Sequence, residues 1–549
     1  MINRILPLLA LAFSLSVQAQ KLRKADRQIV ENLRSHISYL ADDKLEGRRA
    51  GTPGEKLAGE YIRAQFEKIG LKPATADGNW FQSFEIYDGR SINSNTFLII
   101  NDTELKLMKD FFPLAFSGNG TSEAAAALAL RESAVPWFQD LDELVKENSN
   151  NPHYDIYGGI HTLAEQAEKK GATALLLFNG PASPDNIQFQ PKDNAEKVKI
   201  PVIYITSEAS KKFFGDESAM LDMKLKVDLG VKNRTGNNVV GVIDNGSKNT
   251  IVIGAHYDHL GYGEDGNSML RTNERLVHNG ADDNASGVAS MIELARMLKS
   301  SKNTKSNFLF IAFSGEELGL NGSKYYTEHQ AGKFTDINYM INMDMVGRLN
   351  DSSKAITIGG DGTSPQWPAV FAATKEAKNF SIKIDSSGTG PSDHTSFYRK
   401  DLPVLFFFTG LHSDYHRPTD DANKINYKGT WMIVKLANQV IVQSLNTDKL
   451  AFTKTREQQT GTSTRFTVSL GIMPDYTFSG AGVRVDGVSA GRSAEKIGMK
   501  TGDVIIQLGT VNVSSVESYM QALSKYKKGD KTTVKYKRGT ETLESDIQF

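Results

Sequence analysis

The chain has 549 residues, of which 39% are hydrophobic and 9% are aromatic, and its 64 Lys plus Arg equal its 64 Asp plus Glu. This composition is typical of a folded chain of about three or four domains and excludes an intrinsically disordered one. The balanced charge provides no overall field for nucleic acid or an anionic membrane, so we expect neither as a partner. The absence of cysteine excludes disulfides, lipidated cysteines and thiolate ligands to a metal.

The first 19 residues have the pattern of a signal peptide. Asn3 and Arg4 precede an apolar stretch over residues 5–17, and Val17-Gln18-Ala19 resembles a cleavage site. The apolar stretch is shorter than the roughly 20 residues that a membrane-spanning helix needs. We therefore expect export to the periplasm or the medium, with Gln20 as the first mature residue and no transmembrane anchor in the mature chain.

Residues 20–95 and 230–447 are predicted to form one domain, which an insertion interrupts. Residues 36–70, HISYLADDKLEGRRAGTPGEKLAGEYIRAQFEKIG, predict a helix, a loop rich in Gly and Pro, and a second amphipathic helix. From residue 96 to 229 the pattern changes to segments such as NTFLIIN, EAAAALAL, KKGATALLLFN and IPVIYIT. We interpret residues 96–229 as a β-rich inserted domain.

Residues 230–447 alternate between strand-like and helical patterns. NNVVGVI, TIVIGAHYD, NFLFIAFSG, INYMINMDMVG and PVLFFFTG predict strands, whereas SGVASMIELARMLKSS and YKGTWMIVKLANQVIVQSL predict helices. This alternation is typical of an α/β fold with a mostly parallel central sheet flanked by helices. Ligands of such sheets bind beyond the carboxyl ends of the strands.

Five stretches carry metal-binding residue types close to the ends of these apolar runs: GAHYDH, NGADDNASG, FSGEELG, INMDMVG and DYHRPTDD. The candidate residues are His256, Asp258, Asp283, Glu316, Glu317, Asp344 and His416. Two histidines, several carboxylates and a spare glutamate are what two zinc ions and one attacking water require. Hydrolysis is therefore the leading hypothesis.

Each stretch taken alone also has an explanation without a metal. Asp283 could cap a helix, and the pair Glu316 and Glu317 could lie at a helix N-terminus. Asp344 could pair with Arg348, and a lone histidine in a polar loop is commonly solvated. Adjacent glutamates after an apolar strand repel each other unless a cation is close. Their common place at strand ends favours the metal.

These five motifs, in this order and together with LADDKLEGRRAGTPG, resemble the co-catalytic di-zinc aminopeptidases of metallopeptidase family twenty-eight. The resemblance covers the segments on both sides of the insert and implies the zinc exopeptidase fold. It also implies two Zn²⁺ ions with the following ligands: His256 and Asp344 on one ion, Glu317 and His416 on the other, and Asp283 bridging both.

The resemblance further implies an aminopeptidase acting on peptides. Glu316 would take the proton of the attacking water and pass it to the leaving amine, while Asp258 would orient His256. A cis peptide bond would follow Asp283. GPSDHTSF resembles the family's loop beside the cleft, and the pocket candidates are Asp393, His394 and Tyr415. Carboxypeptidases of the same fold are an alternative, which a peptide blocked at one end distinguishes.

Two accessory segments complete the organisation. The insert resembles a protease-associated domain, either a gate for substrates or a stabilising lid. Polar residues 448–463 predict a linker. Residues 464–549 resemble a PDZ domain of α+β type, which would bind a C-terminal peptide or an envelope protein. Its carboxylate-binding loop is predicted at Leu470, Gly471, Ile472 and Met473. This segment motivates another function class, a catalytically inert receptor or scaffold that binds peptides.

Overall fold

A computed structural model of the chain describes residues 23–549 apart from several short gaps. The gaps are residues 148–154, 181–183, 194, 217, 271, 273, 302, 331–332, 456–467, 475–480, 489–490, 514–515 and 528. The predicted signal peptide and residues 456–463 of the predicted linker lie outside the described residues. None of the helices in the described part of the chain is both long and apolar enough to cross a membrane.

The chain begins with two helices that pack against the central sheet. These are α1 (Lys24–Leu40) and α2 (Pro53–Ile69), followed by the short strand β1 (Lys72–Pro73). Pro53 stands in the first turn of α2, where its missing N–H costs no hydrogen bond, and Gly70 ends the helix at a φ of 89°. The loop that joins the two helices contains the motif LEGRR.

A separate compact unit comprises residues Glu85–Thr235. It begins 11 residues before the predicted insert, residues 96–229, and ends six residues after it. Its described residues form two four-stranded sheets. The first, in the order β4-β3-β10-β6, is antiparallel throughout. In the second, in the order β5-β9-β8-β7, strands β7, β8 and β9 are parallel and β5 is antiparallel to β9. Its elements are β2 (Phe81–Ile92), β3 (Phe97–Ile100), β4 (Thr103–Glu104), β5 (Phe111–Pro113), β6 (Gly120–Ala126), β7 (Pro136–Asp140), α3 (Leu141–Glu147), α4 (Ile156–Lys169), β8 (Ala174–Phe178), β9 (Val202–Ile205), α5 (Ser207–Phe213) and β10 (Leu221–Val227).

The central sheet has nine strands in the order β1-β11-β13-β12-β14-β17-β15-β16, with β2 also paired to β11. Its four middle strands, β13, β12, β14 and β17, are parallel, and antiparallel pairs flank them. The elements are β11 (Leu229–Ile243), β12 (Thr250–His256), α6 (Gly287–Ser300), β13 (Asn307–Phe313), α7 (Asn321–Glu328), β14 (Ile337–Met343), β15 (Ala355–Gly359), α8 (Trp367–Ala373), β16 (Ser381–Asp385), α9 (His394–Tyr398), β17 (Val404–Phe408) and α10 (Tyr427–Ser444).

Both faces of this sheet are covered, which explains why its strands are continuously apolar. Along β13, Phe308 and Phe310 join the core beneath α1, α2, α6 and α10, whereas Leu309 and Ile311 join the core beneath α7 and α9. A strand buried on both faces has no polar side. The observed fold has helices on both faces of a mixed sheet whose central strands are parallel. This confirms the predicted α/β fold class.

The C-terminal residues form a six-stranded sheet with its own apolar core. Its elements are β18 (Ile472–Pro474), β19 (Val483–Val488), α11 (Ser493–Lys496), β20 (Val504–Leu508), β21 (Val511–Asn512), α12 (Val516–Leu523), β22 (Lys531–Arg538) and β23 (Glu541–Gln548). The described part of the predicted linker is bound to the catalytic domain. Leu450 N–H donates to Asn338 Oδ1 at 2.8 Å, and Thr453 N–H donates to Thr363 O at 2.8 Å.

Candidate active site

The parallel strands bring most of the predicted metal ligands to one edge of the sheet. β12 ends at His256, β13 ends three residues before Glu316, and β14 ends immediately before Asp344. His416 follows β17 in a loop, and Asp283 lies in the turn Ala281–Ser286 that opens α6. Asp258 was predicted on a strand with His256, but the strand ends at His256 and Asp258 lies in the turn beyond it.

One group of these residues surrounds the end of β12. His256 Nε2 lies 3.3 Å from Asp283 Oδ1 and 3.3 Å from Asp344 Oδ1. The three side chains are almost wholly buried, at 1%, 5% and 12% exposure. A histidine and two carboxylates that converge in this way can hold a cation.

A second group shares Asp283 with the first. His416 Nε2 lies 3.3 Å from Asp283 Oδ2 and 3.3 Å from Glu317 Oε2. Its other ring nitrogen, Nδ1, donates to the main-chain oxygen of Asn267 at 2.8 Å, which directs Nε2 toward the carboxylates. Asp283 therefore offers one oxygen to each histidine, as a bridging ligand would.

His259 also lies within this second group and was missed from the sequence. Its Nδ1 donates to Glu317 Oε1 at 2.7 Å and lies 3.9 Å from Asp283 Oδ2. Two ligands of one tetrahedral zinc, with bonds of 2.0–2.1 Å, lie about 3.3 Å apart. The distances to His416 match that value, whereas the 2.7 Å contact of His259 is a hydrogen bond that orients Glu317. Its position next to Asp258 in GAHYDH was the available sequence signal.

The side chains of Asp258 and Glu316 lie beside the first group. Asp258 Oδ1 accepts the Glu316 N–H at 3.1 Å. His256 Nδ1 lies 3.2 Å from the main-chain oxygen of Asp258 and 3.7 Å from its Oδ1. Asp258 thus contacts both the histidine and the backbone of the adjacent glutamate, so it can orient both.

The electrostatics of the cluster favour a bound cation. Burial, together with the charges of Glu317, Asp393 and Asp344, raises the pKa of Glu316 well above its ordinary value, although His256 opposes this. Burial also raises the pKa of Asp344. Glu317 and Asp283 depart from this pattern, because neighbouring histidines outweigh their burial. The pKa of Glu317 falls to about 2, and that of Asp283 lies well below its ordinary value. Crowded carboxylates that raise one another's pKa are stabilised by positive charge.

Three further residues hold the ligands in place, and the sequence reasoning did not identify them. Asp420 Oδ2 accepts the N–H groups of Asp282 and Asp283 at 2.9 and 3.0 Å. Ser392 Oγ donates to Asp344 Oδ2 at 2.9 Å, and Asn267 Nδ2 lies 3.4 Å from Glu317 Oε2. Asp420 and Ser392 stand within DYHRPTDD and GPSDHTSF, so adjacency to a motif was a signal. Asn267 carried none.

The explanations without a metal fail for the two aspartates. Arg348 bonds Asp414 and the main-chain oxygen of Lys424, so it is not the partner of Asp344. At the start of α6, Asn284 Oδ1 accepts the Gly287 N–H at 2.9 Å, which leaves the Asp283 carboxylate to the histidines. The peptide bond that follows Asp283 is cis, as predicted.

The pocket candidates differ in exposure. Asp393 and His394 are 0% and 1% exposed, so they can shape a pocket only from beneath its surface. Burial raises the pKa of Asp393 to about 7 and lowers that of His394 to about 3. Tyr415 is half-buried, and its ring stacks on His416 at 3.8 Å between ring centroids. It is therefore the one candidate of the three that can touch a substrate directly.

The predicted carboxylate-binding loop lies at the start of β18. Leu470 is buried, Gly471 adopts a φ of 84°, and Ile472 begins the strand, whose register pairs Met473 with Gly487 of β19. β18 is an edge strand of this sheet, and the Gly471 N–H donates to Ser469 Oγ at 3.0 Å.

Comparisons with known proteins identify two domains in the chain. The family model for peptidase family M28 matches residues 238–441, and the PDZ domain model matches residues 451–549. Aminopeptidase YwaD of Bacillus subtilis (strain 168) is 27% identical over 438 residues, which cover 76% of this chain and 85% of that protein. The probable lipoprotein aminopeptidase LpqL of Mycobacterium tuberculosis is 26% identical over 412 residues, which cover 70% and 75%.

Among solved structures, the aminopeptidase from Aneurinibacillus sp. strain AM-1 covers 78% of this chain and 97% of its own, at 22% identity and a TM-score of 0.43. The zinc aminopeptidase BSAP from Bacillus subtilis covers 77% and 95%, at 22% identity and the same TM-score of 0.43. From the two family models, the chain contains a peptidase family M28 domain over residues 238–441 and a PDZ domain over residues 451–549.

Proposed function

We propose that this chain is an exported aminopeptidase that uses two zinc ions to remove N-terminal residues from peptides. The observation that carries the proposal is the pair of matched distances around Asp283. Each of its carboxylate oxygens lies 3.3 Å from one histidine, and each histidine lies 3.3 Å from a second carboxylate. The relatives described as aminopeptidases, one of them as a zinc enzyme, support the same reaction.

The donor set fits zinc without thiolates. Histidine nitrogens and carboxylate oxygens are normal zinc ligands, and the spacing agrees with tetrahedral coordination. In this proposal His256 and Asp344 hold one ion, Glu317 and His416 hold the other, and Asp283 binds both. When bound, the ions would lower the pKa of the attacking water and polarise the scissile carbonyl.

The remaining roles belong to residues that would not bind metal. Glu316 is half-buried, its charge interacts with that of His256, and it would accept the proton of the water and return it to the leaving amine. Asp258 would fix Glu316 through the N–H bond at 3.1 Å. Partly exposed Tyr415 would contact the substrate, with Asp393 and His394 supporting the pocket wall. The insert and the PDZ domain would select or deliver peptides.

The test combines a base variant with a blocked substrate. We expect Glu316→Gln to retain two zinc ions per chain by atomic spectroscopy while peptide hydrolysis falls by roughly 10²–10⁴-fold. Glu328→Gln, on the exposed end of α7, is the matched control and should keep full activity. The wild-type protein should cleave free peptides but not their N-acetylated forms.

Each contrary result has a separate meaning. Retained activity in Glu316→Gln would remove this residue as the base. Cleavage of acetylated peptides with failure on C-terminally blocked ones would instead identify a carboxypeptidase of the same fold. A native protein without zinc and without activity would favour the alternative of a catalytically inert scaffold that binds peptides.

A further inference from the structure

Arg48, in the LEGRR loop between α1 and α2, is a buried cation outside the ligand set. It is 1% exposed, and its guanidinium donates to main-chain carbonyls instead of side chains. Nε donates to Tyr257 O at 2.7 Å, and Nη2 donates to Gly280 O at 3.1 Å. Nη1 donates to Leu40 O at 2.5 Å and to Asn279 O at 2.6 Å. One side chain thus joins three distant segments.

Three of the four carbonyls belong to segments that carry predicted metal ligands. Tyr257 lies between His256 and Asp258, so the bond to its carbonyl fixes the turn that follows β12. Asn279 and Gly280 lead directly into the turn that carries Asp283. Leu40 is the last residue of α1, whose carbonyl has no partner within the helix. The guanidinium therefore ties the β12 turn to the Asp283 turn and anchors both to α1.

The backbone around Arg48 is held as closely as its side chain. The His259 N–H donates to Arg48 O at 3.2 Å, and the Gly261 N–H donates to Gly47 O at 3.0 Å. A Cβ on Gly47, whose φ is 67°, would lie 2.5 Å from the carbonyl oxygen of Gly261. Arg48 itself adopts a φ of 49°, a conformation that is uncommon for a residue with a side chain. The loop is thus built to present this guanidinium at one position.

The charge of Arg48 acts on the same centre from a longer distance. Burial lowers the pKa of Arg48 to about 10, so the group stays protonated at neutral pH, while four carboxylates oppose that loss. The four are Asp258, Asp283, Asp420 and Glu317. Two of them are predicted zinc ligands. A buried cation is costly unless surrounding groups stabilise it, and the acidic centre does so.

We propose that Arg48 is a positioning residue of the metal centre, which sets the separation between the His256 turn and the Asp283 turn and supplies positive charge to their carboxylates. This inference rests on the proposed zinc function, because a metal centre is what the residue would position. It assigns a role to the LEGRR loop, which contributes no metal ligand.

A purely structural clamp is the competing explanation, and two substitutions separate the two. Arg48→Met keeps the apolar stem but removes every donor and the charge. Arg48→Lys keeps the charge but loses the planar fork that reaches several carbonyls at once. Arg296→Met is the matched control, because Arg296 donates to Glu293 on α6 and contacts no predicted ligand.

The experiment measures zinc affinity of the full-length protein by competition with a chromophoric chelator, well below the melting temperature of each variant. We expect Arg48→Met to bind zinc about 10–100-fold more weakly than the wild type, as loss of a group that supports metal ligands does. The zinc affinity of Arg48→Lys should lie between those of Arg48→Met and the wild type. The absorption spectrum of the Co²⁺-substituted protein should shift in both variants, whereas Arg296→Met should match the wild type.

Variants that melt earlier but keep wild-type zinc affinity and an unchanged Co²⁺ spectrum would overturn the inference, since a structural clamp predicts that result. If Arg48→Met does not fold, Arg48→Lys decides between the two explanations by the same measurements. A wild-type protein that binds no zinc would overturn the proposed function, and this inference with it. Unchanged affinity in the variants of a zinc-binding wild type would overturn the role of Arg48 alone.

Discussion

The two halves of the candidate metal centre are built on different kinds of support. The strand half, His256 and Asp344, lies at the ends of β12 and β14, and Ser392 and Asn342 form a buried hydrogen-bond chain to Asp344. The loop half, Glu317 and His416, depends on Asn267, whose main chain and side chain contact one ligand each. Only the strand half is fixed directly by the sheet.

This difference predicts unequal metal affinities. The loop segments that carry Asn267 and His416 must both be ordered before these residues can meet, and ordering a loop costs conformational entropy. The strand half is ordered by the sheet whether or not a metal is bound. We therefore expect one tightly bound ion at the strand half and one weaker ion at the loop half.

The largest effect should follow from removing the ligand that both halves share. Asp283→Ala removes the carboxylate oxygens that face His256 and His416, so we expect both zinc ions and all zinc-dependent hydrolysis to be lost. Atomic spectroscopy of the dialysed protein and a peptide assay measure this. Asp351→Ala, at an exposed turn, should behave as the wild type. A variant that keeps one zinc ion would show that Asp283 serves a single half.

A smaller and unequal effect should follow from removing one ligand of each half. His416→Ala should retain one zinc ion with the tighter wild-type affinity, because the strand half is intact. Asp344→Ala should retain at most the weaker ion. Calorimetric titration of metal-free protein gives both the stoichiometry and the affinity. Two equal affinities in the wild type would break the comparison between the halves.

The same difference decided how much could be predicted from the sequence. The apolar strands and their acidic ends are local patterns, so the fold class and the candidates His256 and Asp344 could be predicted from periodicity and residue type. His259, Asn267 and Arg48 act through contacts between distant segments. Their roles depend on the path of a loop, which no local pattern specifies. The resemblance to a family supplied the ligands, the base and the pocket candidates, but none of these three residues.

Removing the supports of each half should weaken its metal by a smaller factor. Ser392→Ala removes the donor to Asp344 and should weaken the tighter ion, while Asn267→Ala removes the amide near Glu317 and should weaken the other ion. We expect each variant to lower the zinc affinity of its own half roughly 10-fold, at the low end of the range for groups that support metal ligands. Chelator competition resolves the two ions. Equal weakening of both ions by either variant would contradict separate halves.

The smallest effect that we expect is on how the free energy of unfolding depends on pH, and it should arise at Glu293, outside both halves of the metal centre. Glu293 on α6 is 0% exposed; Asn32 donates to it at 3.2 Å, Arg296 donates to it at 3.1 Å, and His36 Nε2 lies 3.4 Å away. Burial raises the pKa of Glu293, but the nearby His36 ring and the charge of Arg296 outweigh it, so the pKa lies below its ordinary value of 4.5.

A carboxyl group with a lowered pKa in the folded state stabilises the fold above its unfolded pKa, and the contribution disappears as the pH falls through the folded value. Glu293→Gln should therefore lower the free energy of unfolding by roughly 1–3 kcal/mol at pH 7, since a buried charge-assisted bond is lost, and by less near pH 4. Denaturant unfolding of metal-free protein at the two pH values measures this without interference from zinc release. A loss of the same size at both pH values would show that the charge of Glu293 does not make the fold sensitive to acid.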